Sequence, residues 1–449
     1  VTVTDISAGF GAACVVESDG TVWCWGDDSD DQIGVPAASL PTVAGCTNCR
    51  PTPAPVPGLA KIVQVSSGQH SCAVDNVGDV YCWGQNDVGQ TGHQNGTNGD
   101  VNCPVGTGVC NATPIKVAGI SNVKKVQVGG NGTTCALTTG GTMFCWGSNQ
   151  TLVLANATSP VDKDAGAISF TPVPIQGLPG GVTDFALSLD APQVCAVIGG
   201  TPSNVYCWGY NDNAQAGHLP NSAGDILTNS DPSSYAAPAP LAVSPTDFLG
   251  VNVDVTDVTS VAAVRSATCG GTVDGGVKCW GDDQTGQFGN GDVPAGFFTD
   301  KNTPLVSNAS DIVEVSGRGG LLDAHFCGLT SAKKIVCWGA SDFGQLGNGQ
   351  CNLIDGGAPG GDAGDVGANG ARCAKQPQTV ASTMTFTKVS AGFFGTIALG
   401  TDGKVYAWGY SGNGQLGHAP LTEGDFAGCS GPIGQSPCNP SPTVVAGLP

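Results

Sequence analysis

Apolar and polar residues alternate along most of this chain in short runs, each closed by Gly, Pro, Asn or Asp. That is the period of β-strands, and no stretch carries the spacing of an amphipathic helix. The segment "QHSCAVDNVGDVYCWG" (69–84) shows the unit. The runs "SCAV" and "VYCW" flank "DNVGD", whose Asp, Asn and Gly predict a turn and therefore a hairpin. Centred on Val77, the turn sets Val74 opposite Val80 and Cys72 opposite Cys82. Ala73, Tyr81 and Trp83 then share the other face. Both faces are mostly apolar, so this sheet needs a neighbour on each side. "KIVQVSSG" before the hairpin alternates in the same way. "PAPVPGL" (53–59) precedes that, and its prolines suit an edge strand, where no ladder donor is lost.

The hairpin phrase occurs seven times in all, around Trp25, Trp83, Trp146, Trp208, Trp280, Trp338 and Trp408, spaced 58 to 72 residues apart. A repeated phrase at a loose period predicts a repeat architecture. Four strands in each of seven repeats, with no helical pattern, predict an all-β, seven-bladed propeller of four-stranded blades over residues 1–449 as a single domain. The proline element precedes repeats two to seven, is missing before repeat one, and recurs as "PTVVAGL" at 442–448. The expectation is a ring closed by this C-terminal strand, which would complete the first blade. In each repeat the Trp is expected to wedge between blades, and the following Gly to permit a close approach. The Gly-Gln-x-Gly segment is expected to form a tight turn whose Gln amide satisfies backbone groups. Repeat three departs from it with Leu152, Val153, Leu154 and Ala155.

Cysteine changes the picture. There are 20. The regular spacing predicts within-blade disulfides Cys14–Cys24, Cys72–Cys82, Cys135–Cys145, Cys195–Cys207, Cys269–Cys279 and Cys327–Cys337. Blade seven has Ile397 and Ala407 instead. Four further pairs fall in the loops after the Gln turns: Cys46–Cys49, Cys103–Cys110, Cys351–Cys373 and Cys429–Cys438. "CTNC" at 46–49 sits among prolines, which favours a structural bond over a redox motif. So many paired cysteines point to an oxidising compartment, extracellular or at the cell surface.

The net charge is −20. An acidic surface disfavours nucleic acid and anionic lipid as partners. No apolar run is long enough for a membrane helix, and "VTVTDISAGF" does not read as a signal peptide. His93, His218 and His418 each follow a Gln turn in non-adjacent blades and are expected to be turn residues rather than a shared metal site. His70 and His325 are expected to be structural. No catalytic constellation is legible, and no enzyme is expected. No cofactor is expected either. Calcium, in the cluster Asp27, Asp28, Asp30 and Asp31 or in "DGGAPGGDAGD" with Asp355, Asp362 and Asp365, stands as an alternative.

Repeats reading G-x-x-H-x-C-A-V…G-x-V-Y-C-W-G-x-N-x-x-G-Q-x-G resemble those of the regulator-of-chromosome-condensation family, most closely at 68–92 and 392–417. The likeness spans essentially the whole chain and independently implies a seven-bladed propeller. The family includes a nuclear nucleotide-exchange factor, light sensors that use tryptophan clusters, and secreted bacterial inhibitors. This acidic, cysteine-rich chain is most like the secreted bacterial members. Beyond the repeat tryptophans only Trp23 is extra, too few for a light-sensing cluster. The reading is a non-catalytic binding or adhesion module that meets a protein or glycan through loops on one face. Phe297 and Phe298 in one loop, and Asp355, Asp362 and Asp365 in another, are the candidate binding residues. The alternatives are a self-assembling surface subunit or a secreted inhibitor, with an enzyme or exchange factor expected least.

Overall fold

The computed structural model describes the chain except residues 36–45, 47, 156–167, 201, 223–224, 228–233, 244–254, 292–300, 321–323, 350–364, 367–371 and 432–433. Seven antiparallel sheets follow one another along the sequence and form a seven-bladed β-propeller. Blade one comprises Val3–Ala8, Ala12–Glu17, Val22–Asp27 and Cys49–Pro55, hydrogen-bonded in that order. The hairpin register is the one the turn chemistry dictates. In blade two, Val74 faces Val80 and Cys72 faces Cys82.

Two features correct the expected arrangement. First, the proline strand belongs to the repeat before it. Pro55 pairs with Trp23 and Ala54 with Cys24. At the other end Gly434–Val444 pairs with Val405–Tyr410. The C-terminal strand therefore completes blade seven, not blade one, and every blade is a contiguous stretch of chain. The physical reason is antiparallel return: the long loop after each third strand brings the chain back along that same strand. Second, blades two, four, six and seven carry a fifth strand, at Val101–Asn102, Ile226–Leu227, Asp365–Val366 and Phe426–Gly431. Each lies against the fourth strand and covers part of its edge, a liability for unwanted pairing when left open.

The core sits between blades. Val16, Val22, Cys24 and Ala54 of blade one pack on Ile62, Val65, Ala73 and Trp83 of blade two. All seven repeat tryptophans are fully buried. Each indole N–H donates to a backbone carbonyl in the Gln turn of the preceding blade, at 2.8 to 3.0 Å. The Gln side chain has a different task. Its Oε1 accepts the N–H two residues earlier, as Gln90 does from Val88 at 2.9 Å. Blade three lacks the Gln, yet Trp208 still reaches the Val153 carbonyl at 2.8 Å, because the bond uses only backbone. The Gly after each Trp sits at a register shift with φ near +100°, for example Gly26 at 103°. A Cβ there would collide with the Gly11 carbonyl.

The ring closes by the same contacts. Ile6, Ala13, Val15 and Trp25 of blade one pack on Ile397, Leu399, Val405 and Val445 of blade seven. Trp25 donates to the Gln415 carbonyl at 2.8 Å. The six predicted cross-strand cysteine pairs are bonded, with Cα separations of 4.1 to 4.2 Å.

Candidate functional site

Each blade sends out its long connection at the end of the third strand and takes it back as the fourth. The turns between first and second strands lie beside these exits, as the bond from Asp27 N–H to the Gly11 carbonyl at 2.9 Å records. All seven variable loops thus share one face. Phe297, Phe298, Asp355 and Asp362 lie outside the described residues. Asp365 opens a fifth strand and pairs with Cys373. Of the loop cysteines, Cys46–Cys49, Cys103–Cys110 and Cys429–Cys438 are bonded, with Cα separations of 5.7, 4.9 and 6.0 Å. Cys351 lies outside the described residues.

The acidic cluster at the first Gln turn serves the turn itself. Asp28 Oδ1 accepts the Ile33 N–H at 3.2 Å. Asp27 accepts from the Ser29 hydroxyl at 2.7 Å and from Gln32 Nε2 at 3.0 Å. Burial pushes Asp28 up to about 8 and Asp30 and Asp31 up to about 6. Asp30 lies close to Cys103 and Cys110, but these two sulfurs are joined to each other and offer no thiolate pair.

Three loops share a device that sequence reasoning missed. His93, His218 and His418 meet Asp100, Asp225 and Asp425, each seven residues on, at 2.9, 2.7 and 3.6 Å. The three carboxylate side chains are fully buried. Asn86 and Asn211 donate to Asp100 and Asp225 at 2.8 Å, and the Ser411 hydroxyl to Asp425 at 2.6 Å. The signal was present as His-x5-Gly-Asp, written three times. The fifth strand begins directly after each of these Asp residues. The three histidines form no common centre.

Aromatic side chains gather on the loop face where blades seven and one meet. The Phe10 and Phe393 rings lie 4.3 Å apart and Phe393 and Phe394 4.7 Å apart. Phe394 leans on buried Phe343 at 5.2 Å and on Tyr410 at 5.8 Å. Phe10, Phe393 and Phe394 are each half-buried. The sequence carried this as "GF" at 9–10 and "GFF" at 392–394, in equivalent turns of blades that become neighbours only once the ring has closed.

The ring axis holds a cavity of about 410 Å³ lined by the first strands. Alternate residues of a strand share a face, so positions three and five of each first strand form two rings. In the outer ring Asp5 pairs with Lys388 at 2.8 Å and Lys125 with Asp184 at 2.6 Å. Asp5, Gln64 and Asp184 also accept backbone N–H groups of the next blade, at 3.0, 2.9 and 3.2 Å. The Glu314 carboxyl makes no hydrogen bond or ion pair among the described residues, and burial pushes it up to about 7. In the inner ring Ser7, Ser66, Gln127, Ser316 and Ser390 accept N–H groups of the next blade at 2.9 to 3.1 Å. Beyond it lies Arg318, where other blades have Gly9, Gly68, Gly129, Ser188, Val264 and Gly392. Its guanidinium reaches across the axis to Ser7 Oγ, the Ser67 carbonyl and the Val128 carbonyl. Lys124 stands exposed at the opposite rim.

Contiguous Trp-Gly blades, bonded in a ring with their variable loops on one side, define a seven-bladed propeller built from a single repeat. The chain carries repeats of the regulator of chromosome condensation (RCC1) type over nearly half of its length. Profiles of that repeat match residues 3–32, 62–90, 123–150 and 386–415, and residues 19–74, 77–136 and 402–449. The Arabidopsis thaliana ultraviolet-B receptor UVR8 is 26% identical over 426 residues, covering 94% of this chain and 80% of that protein. The human E3 ubiquitin-protein ligase HERC2 is 24% identical over 307 residues, 68% of this chain but 5% of that much longer protein. Among solved structures, yeast RCC1 (Prp20) bound to Kap60 aligns with a TM-score of 0.68 at 21% identity, over 96% of this chain and 85% of that one. That likeness speaks to the fold. No described helix is long and apolar enough to cross a membrane.

Proposed function

We propose that this propeller is a non-catalytic binding module of an oxidising, extracytoplasmic setting, gripping a protein or glycan partner with its loop face. One observation carries the reading: the half-exposed ridge of Phe10, Phe393 and Phe394, seated on buried Phe343 and bordered by loops that are tied down. Aromatic side chains held rigidly at low entropy cost are what binding hot spots are made of. His–Asp pairs and loop disulfides restrain the surroundings, so little freedom is lost on binding. The nine bonded cysteine pairs among the described residues support the oxidising compartment, and with it the kinship to secreted bacterial members.

The test is comparative capture from the native extracellular fraction with wild type and the Phe10→Ser/Phe393→Ser variant as baits. The expected outcome is a partner held by wild type and lost by the variant, at an unchanged melting temperature. Identical capture by both baits contradicts the reading. Capture of the chain itself, with a dimer on sizing, would move it toward self-assembly.

A further inference from the structure

We infer that the floor of the axial cavity is a binding site for a compact oxyanion of the phosphate, sulfate or small-carboxylate class. The first ground is Arg318. It is 8% exposed and forms no ion pair among the described residues. Its Nε–H is buried without a partner. A buried guanidinium with no counter-charge is costly, and this one lines a cavity large enough for an anion and several waters. Burial alone holds it down to about 10.

The second ground is independent of the first. Ser7, Ser66, Ser316 and Ser390 each use Oγ as an acceptor for the neighbouring blade's N–H. A hydroxyl has one proton to give besides, and none of the four donates it to another group among the described residues. Gln127 spends Oε1 in the same way, on Leu187, leaving its amide N–H groups to the cavity. One end of the cavity is therefore ringed by unspent donors around a cation, the arrangement that stabilises an anion. A cation is disfavoured there by the same groups.

The outer ring adds a gate charge. Glu314 lies four residues before Arg318, on the strand Ile312–Gly317 that Arg318 directly follows, and it faces Lys388, Asp5, Lys125 and Asp184. When ionised it opposes an entering anion, and when protonated it does not. Affinity for an anion of fixed charge should therefore rise as pH falls through about 7.

The experiment is calorimetric titration of the full chain with sodium sulfate, inorganic phosphate and sodium acetate, at constant ionic strength set by chloride. Saturable binding of one anion per chain is expected, and the three arms rank the sources. Sulfate, whose own charge does not change in this range, should bind several-fold more tightly at pH 6 than at pH 8. Glu314→Gln should bind at pH 8 as wild type does at pH 6. Arg318→Met should lose at least tenfold in affinity. Should that variant not fold, anomalous diffraction from selenate-soaked wild-type crystals decides, with a peak expected within hydrogen-bond distance of Arg318. No saturable heat from any anion, undiminished binding by Arg318→Met, or no selenate peak at the floor would each overturn the inference.

Discussion

The indole N–H of each repeat tryptophan bonds a backbone carbonyl, and so the neighbouring side chain is free to vary. Most of those carbonyls have a second donor. Gln90 O also receives the Thr134 hydroxyl at 2.8 Å, and Gln32 O the Ser71 hydroxyl at 2.9 Å. At Val153 O the position equivalent to Thr134 is Val194, which has no donor. Trp208→Phe and Trp146→Phe remove similar volume, but only the first leaves a buried carbonyl without its side-chain donor. Trp208→Phe should therefore cost about 1–2 kcal/mol more than Trp146→Phe, read from urea unfolding midpoints; equal costs would assign the loss to packing alone. Asp28 provides a second prediction. Where blades two, three and four place Asn86, Asn149 and Asn211, blade one places a carboxyl that burial pushes up to about 8. A carboxyl raised in the folded state contributes stability below its unfolded pKa of 3.8 and loses it as pH climbs through about 8. Asp28→Asn keeps the bond to Ile33 and removes the titration. It should gain on the order of 2 kcal/mol at pH 8 and almost nothing at pH 4. A gain that does not depend on pH would contradict the assigned shift.

At the scale of the element, the hairpins were legible and the loops were not. The turn residues of "DNVGD" specify the register of their own two strands, because a two-residue periodicity and a turn leave one pairing. The partner of the proline strand was misread, since nothing local says whether an edge strand returns to the strand before it or precedes the one after. The same limit hid the aromatic ridge, where Phe10 and Phe393 are 383 residues apart in sequence and adjacent only after closure. The His–Asp pairs were a different failure. His-x5-Gly-Asp was readable, but a histidine considered singly does not show its aspartate seven residues on. These pairs tie the loops to the blades, and Asp100 holds its loop through His93, Asn86, Asn111 and the Gly96 N–H. Asp100→Ala should speed amide exchange across residues 94–102 by at least tenfold while the rest of blade two stays protected. Unchanged exchange there would show that the Cys103–Cys110 bond alone fixes the loop.

Over the whole molecule, the account rests on seven contiguous blades, closed by packing and by Trp–carbonyl bonds, and stapled between the second and third strands of each blade except the seventh. Blade seven shows the staple is replaceable: Ile397 faces Ala407 at the cysteine positions, both are buried, and the register is unchanged. Each staple closes a ten- or twelve-residue separation, for which chain entropy gives roughly 3 kcal/mol. Such bonds persist only where the surroundings are oxidising, so the same cysteines report on both the fold and the compartment. The decisive measurement is non-reducing peptide mapping of the protein taken from its native source with thiols blocked on collection. The account predicts Cys14–Cys24, Cys72–Cys82, Cys135–Cys145, Cys195–Cys207, Cys269–Cys279 and Cys327–Cys337 intact and unscrambled. Bonds between different blades would contradict the register, and blocked thiols at these positions would contradict the extracytoplasmic setting on which the proposed function depends.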